Sequence, residues 1–87
     1  MTDSELKSLL KTQIIEYLNL MDISLDDFAD DTAFFGSDLG LDSIDSLELI
    51  VLLEREYGIK IENPADGRKI LIDINHMAAY ITEQGKA

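Results

Sequence analysis

Among the residues of this chain able to take part in covalent chemistry, Ser43 has the most informative position. It follows a glycine-punctuated acidic loop and opens an apolar run, within the stretch 36–54 that reads GSDLGLDSIDSLELIVLLE. Gly36 and Gly40 free the backbone for tight turns, Asp42 is a good helix cap, and no residue from Ile44 up to Gly58 breaks a helix. Ser43 therefore sits at a helix N-terminus. A helix start offers unpaired backbone N–H groups and the positive end of the macrodipole, and both favour an attached or bound phosphate. Position alone leaves two readings open: a phosphate-bearing serine, or a second capping residue.

Other chemistry is poorly supplied. The chain has no cysteine and one histidine, so it offers no disulfide, no cysteine-rich metal site and no side-chain thiol. Any thiol chemistry must be imported. Catalysis by His76 would need a nearby acid or nucleophile in register, and the plainer reading is a solvated or partly packed side chain. The Asp-rich segment 22–41 invites a calcium reading. The EF-hand pattern fails there, because from Asp26 or Asp30 the polar positions, central Gly and terminal Glu do not fall in place.

The elements that position Ser43 follow from periodicity. Thr2, Asp3 or Ser4 can cap a first helix over 4–21, in which Leu6, Leu10, Ile14, Leu18 and Met21 recur at helical spacing and Leu9 and Tyr17 widen the stripe. A long loop follows, with Ser24 and Asp27 resembling a one-turn capping box and Phe28, Phe34 and Phe35 as apolar pins. The second helix, 43–57, carries two apolar stripes. Leu49, Ile50, Leu53 and Tyr57 form a core stripe; Ile44, Leu47 and Val51 form another, displaced by more than ~100° around the axis. Asp45, Glu48, Glu54 and Arg55 flank the second stripe, which is either an exposed docking strip with a charged rim or one side of a helix buried on most sides. Gly58 is a C-terminal stop. An extended link at 59–61 and turns at Asn63-Pro64 and Asp66-Gly67 precede a very short helix near 68–71. Asp73 can cap a last helix with Ile74, Met77, Ala78 and Ile81 inward, ending near Gly85. The expected fold is all-α: a small antiparallel four-helix bundle with three longer helices, one short helix and a long loop after the first, forming one domain over 1–87.

Eighteen acids against seven bases give a net charge of −11 over 87 residues. That charge repels nucleic acid and anionic membrane surfaces, attracts basic patches on proteins, and predicts a fold that salt stabilises. With neither a signal-peptide pattern nor a long apolar run, the expectation is a soluble cytoplasmic protein with no membrane insertion.

Residues 38–49, DLGLDSIDSLEL, resemble the signature of the acyl carrier protein family: an Asp-Ser-Leu-like triplet after a Gly, with a Glu five residues past the serine. Phe34, the acidic helix end at Glu54 and Glu56, and segment 74–81 extend the resemblance over most of the chain. Asp45-Ser46-Leu47 spells the triplet more literally than Asp42-Ser43-Ile44. Helix geometry favours Ser43, since Ser46 lies a turn inside the helix and shares a face with Leu49, Ile50, Leu53 and Tyr57. The family spacing agrees, with Gly40 three before Ser43 and Glu48 five after.

The resemblance implies a carrier that is not itself an enzyme. Ser43, preceded by Asp42, would bear 4′-phosphopantetheine loaded from coenzyme A by a phosphopantetheinyl transferase. The arm's thiol would hold acyl groups for ketosynthases, acyltransferases and other acyl-handling enzymes with basic docking patches. Asp38, Asp42, Asp45, Glu48, Glu54 and Glu56 would supply charge for docking, and Ile44, Leu47 and Val51 apolar contact, on a monomer. Arg55 stands where the best-known fatty acid carriers have an acid. That points to partners other than those of the general fatty acid pathway, and Phe34-Phe35-Gly36 with Leu41-Asp42-Ser43-Ile44 looks most like free-standing bacterial carriers of specialised pathways, such as polyketide or aryl polyene synthesis, within fatty acid, polyketide or related lipid biosynthesis at large. Two other classes share these residues: a peptidyl or D-alanyl carrier, and a helical adaptor without an arm.

Overall fold

The chain opens with a reciprocal cap. The Thr2 hydroxyl accepts the Glu5 N–H at 3.1 Å, and the Glu5 carboxylate accepts the Thr2 N–H at 3.1 Å, which satisfies end groups that a helix leaves unpaired. From there α1 runs Asp3–Leu18 and buries Leu6, Leu10 and Ile14 completely. The computed structural model describes residues 2–20, 22–35 and 39–86. Within them follow α2 (Ser43–Tyr57), α3 (Pro64–Ile70) and α4 (Ile74–Glu83), with a single 3₁₀ turn, Leu25–Asp27, in the loop after α1. No strand occurs among the described residues, and the fold is the expected all-α bundle of three longer helices and one short one. No helix among them is long and apolar enough to cross a membrane.

Two details of α1 differ from expectation. The helix stops at Leu18 instead of continuing to 21, because Asn19 turns left-handed (φ 54°) and donates its N–H back to the Glu16 carbonyl. Met21, expected in the stripe, lies outside the described residues. Leu9 is 37% exposed, so the buried stripe is the narrow Leu6–Leu10–Ile14 line, with Tyr17 half-buried against it.

The core forms where α1 meets α2 and α4, with α3 packed on α4. Leu49, Leu52 and Leu53 of α2 and Ile74, Met77, Ala78 and Ile81 of α4 belong to one buried cluster with Leu6, Leu10 and Ile14 of α1. Leu52 adds a position that the sequence stripe omitted. A polar tie joins α1 to α2: the Tyr57 hydroxyl donates to Gln13 Oε1 at 2.6 Å, and burial pushes the phenol up to about 12.

The loop after α1 is pinned at several points. Phe28 and Phe34 are buried edge to face, with ring centroids 6.4 Å apart. Lys11 of α1 holds the Asp30 carboxylate at 2.7 Å, and the Asp30 carbonyl accepts the Asn75 N–H at the start of α4. The Ser24 hydroxyl donates to Asp27 Oδ2 at 3.0 Å, but the expected capping box does not form, because the Asp27 N–H goes to the Ser24 carbonyl and the Ser24 side chain accepts no backbone N–H. Phe35, expected as a third pin, is 38% exposed instead. Its neighbour Phe34 takes the core position, and successive residues of an extended segment point to opposite sides.

The short helix also differs. α3 starts at Pro64, with the Asn63 side chain accepting the Ala65 N–H at 2.9 Å. Asp66-Gly67, expected as a turn, lies inside this helix. An Asn cap with Pro at the first helical position is a helix-start signal that outweighs the turn propensity of Asp-Gly.

Candidate functional site

Ser43 is the first residue of α2 and is exposed, and no hydrogen bond engages its hydroxyl among the described residues. The chain reaches it by a backbone relay. The Phe34 N–H donates to the Ile72 carbonyl at 2.9 Å, and the Leu41 N–H donates to the Phe34 carbonyl at 3.0 Å. Leu41 is buried, so the two residues before Ser43 are anchored by apolar packing on one side and a cap on the other. Gly40 supplies the left-handed turn (φ 65°) that brings the loop to this point.

The cap is reciprocal. Asp42 Oδ1 accepts the N–H groups of Ile44 and Asp45, both at 3.0 Å, and Asp45 Oδ2 accepts the Asp42 N–H at 3.0 Å. The Ser46 N–H already donates to the Asp42 carbonyl. This corrects the reading of a helix start open to an anion: of the first turn's donors, only the Ser43 amide stays uncommitted. The macrodipole remains. Asp45 is half-buried and works as part of the cap.

Ser46 donates its hydroxyl to the Ser43 carbonyl at 2.6 Å and is half-buried. It lies on the wall of a cleft and not in the core proper. That cleft, about 390 Å³, opens beside Ser43 between the first half of α2 and the C-terminal end of α3, with Phe35, Ile44, Leu47, Ile50 and Leu71 as apolar walls and Gly67 and Arg68 on the α3 side. Its size falls in the range that takes a small organic ligand.

The outer face of α2 is as apolar as its stripe suggested. Ile44 is 69% and Leu47 61% exposed, the highest values among the exposed large apolar side chains described, and Val51 is half-buried. Glu48, Glu54 and Arg55 are exposed along this strip and Asp42 is exposed at its start; Glu56 is exposed too, on another side of α2. Asp38 and Gly36 lie outside the described residues. His76 is exposed on α4, where its ring Nδ1 lies 2.6 Å from Asp73 Oδ1 and its backbone N–H donates to the same oxygen at 2.8 Å. Burial raises the Asp73 carboxyl, but hydrogen bonds from the His76 ring and backbone outweigh it and hold the group below its ordinary value. The acid in register with His76, missed in the sequence, is thus the helix cap three residues before it. Among the described residues no cluster of acidic or histidine side chains could hold a metal.

These parts set an exposed hydroxyl at the first position of a helix, an apolar cleft at its side and an exposed apolar strip along the same helix. Residues 8–64 match the family described as phosphopantetheine attachment site. A protein named acyl carrier protein from Brachyspira hyodysenteriae is 38% identical over 77 residues, covering 88% of this chain and 92% of that protein. Another of that name from Bdellovibrio bacteriovorus is 36% identical over 55 residues, 63% of this chain and 68% of the relative. A third, from Rhodopseudomonas palustris, is 27% identical over 84 residues and covers nearly the whole of both chains. The chain belongs to the acyl carrier protein family. Its cofactor is 4′-phosphopantetheine, and its role is that of a carrier, not an enzyme.

Proposed function

We propose that Ser43 carries the 4′-phosphopantetheine arm, on a single cytoplasmic carrier domain spanning 1–87 that acts as a monomer in bacterial fatty acid, polyketide or related lipid synthesis. The observation that carries this reading is the contrast between two serines. Ser43 is exposed with an uncommitted hydroxyl, whereas Ser46 is half-buried with its hydroxyl held by the Ser43 carbonyl. The residues fit the group: Asp42 and Leu41 hold the attachment point still, and the cleft beside it has apolar walls and the volume for a small organic ligand.

The arm supplies a terminal thiol, which this cysteine-free chain lacks, for acyl groups to be held as thioesters. The protein supplies position and recognition. Ile44 and Leu47, with Val51 beside them, form a strip that water would otherwise cover; Asp42, Glu48 and Glu54 border it, and Glu56 adds charge near the C-terminal end of α2. A basic patch on a phosphopantetheinyl transferase, ketosynthase or acyltransferase complements that rim, with Asp45 adding charge at the serine end; Asp38, proposed with them, lies outside the described residues. Arg55, exposed within the same face, sets a charge pattern that selects among such enzymes.

Incubation with a broad-specificity phosphopantetheinyl transferase and coenzyme A tests the attachment point. One arm is expected by intact mass, placed on Ser43 by fragmentation. Ser43→Ala abolishes the addition with helical content intact, and Ser46→Ala does not. A folded wild-type chain left unmodified by several transferases, or an arm found on Ser46, would overturn the reading.

A further inference from the structure

We infer that Arg68 pairs with the phosphodiester that joins the arm to Ser43, and that this contact lays the arm across the cleft between α2 and α3. The inference rests on Ser43 as the attachment point and concerns what holds the arm once it is there.

A phosphodiester at Ser43 would meet an unusual helix start. The Ile44 and Asp45 N–H groups that would ordinarily reach an anion are taken by the Asp42 carboxylate, and the Ser46 N–H is taken by the Asp42 carbonyl. Two carboxylates, Asp42 and Asp45, stand in the same turn. The helix therefore offers little more than one amide and its dipole to a group that two neighbouring charges repel. A compensating cation has to come from elsewhere in a chain of net charge −11.

Arg68 is the one base that lines the cleft shared with Ser43. It is exposed and makes no ion pair among the described residues, while Lys7 and Lys11 are held by Asp3 and Asp30. Lys69, its neighbour in the last turn of α3, lines a different cleft between α3 and α4. Both bases complement the α3 dipole, so that role does not account for the side on which Arg68 stands. A guanidinium presents a planar fork that matches two phosphate oxygens, which an ammonium does not. Beyond Arg68, the cleft walls at Leu47, Ile50 and Leu71 are apolar and suit the dimethyl and methylene parts of the arm. An arm fixed at its phosphate starts out along these walls instead of into solvent.

The experiment uses the full chain, loaded with the arm and verified as singly modified by intact mass. The ³¹P resonance of the phosphodiester is followed in wild type, Arg68→Gln and Arg68→Lys, at low and high salt, with circular dichroism to confirm folding. The wild-type resonance is expected to lie away from that of the same phosphodiester free in a short phosphopantetheinyl-serine peptide and to move towards it with salt, because exposed ion pairs are screened. Arg68→Gln should start at the free position, and Arg68→Lys should fall between. Because the protein has no cysteine, alkylation by iodoacetamide reads the arm's thiol alone. Arg68→Gln should raise that rate about two- to fivefold at low salt, the size expected of one exposed ion pair. A chain that accepts no arm overturns the attachment reading and this one with it. A loaded, folded chain whose resonance and alkylation rate are the same in wild type and Arg68→Gln overturns only the Arg68 contact.

Discussion

At the scale of single residues, the structure separates groups that the sequence presents as equivalents. Ser43 and Ser46 sit one turn apart in similar surroundings of Asp and Leu or Ile, yet one hydroxyl is uncommitted and the other accepts confinement against a carbonyl. The helix-face argument ranks them in the same order without showing the bond that separates them. Hydrogen bonds between side chains far apart in sequence are similarly illegible. Tyr57 and Gln13 lie on different helices with no local pattern to link them, and their 2.6 Å contact exists only once α1 packs on α2. Tyr57→Phe is expected to cost about 1 kcal/mol by removing that bond. Because burial raises the native phenol from 10.0 to about 12, its contribution is complete below pH 10 and is lost as the pH rises through 12. Denaturation of wild type and Tyr57→Phe at pH 7 and pH 11, with absorbance titration of the tyrosinate, checks both points. A wild-type alkaline titration lacking any phenol near pH 12 would remove the burial argument.

At the scale of elements, α2 is the one whose limits were legible from end to end, since both punctuation marks are local. Asp42 caps it and Gly58 ends it in the left-handed conformation (φ 65°). α1 is overrun because periodicity continues past the turn that Asn19 makes. α3 is shortened because Asp66-Gly67 reads as a turn when the tertiary contacts beneath it are out of view. Gly67 is buried there, and a Cβ added to it would meet Ile50 Cδ1 at 3.7 Å and Ile61 Cγ2 at 3.9 Å, ordinary contact distances. Gly67→Ala should therefore stabilise the unloaded protein by roughly 0.5–1 kcal/mol, through a less flexible unfolded chain and a better helix. A fall in Tm in thermal denaturation would show that the methyl is not accommodated. On α2, exposure of Ile44 and Leu47 resolves the alternative of a helix buried on most sides in favour of an open strip. Glu48→Lys on its rim should slow association with an acyl-handling partner about two- to fivefold at low salt, and the difference should fade with added salt. Stopped-flow association with a folded variant is the measurement, and unchanged rates at low salt would count against charge-guided docking.

At the scale of the whole molecule, a core set by few helices leaves the α2–α3 cleft as the natural route inward for a carried chain. Leu49, Leu53, Ile70 and Met77 are buried in the core cluster, Ile61 is half-buried against it, and Ile50, also packed on that cluster, lines the cleft. A long-chain acyl group on the arm that enters there buries apolar area at roughly 25 cal/mol per Å², so its thioester should melt at a higher temperature than the arm alone. An unmoved melting curve would place the chain outside the bundle. The backbone relay has a further consequence, in the time domain. Leu41 donates to Phe34, and Phe34 donates to Ile72 in the link between α3 and α4, so the loop that presents the serine and the wall that admits cargo share one pair of amides. Moving α3 aside releases the Phe34 amide first and unseats the residue to which Leu41 is bound. Amide exchange at Phe34 and Leu41 should therefore proceed at a common rate, as one opening unit. That rate should change together at both sites when the carried chain lengthens, which makes the serine loop a reporter of what lies behind it.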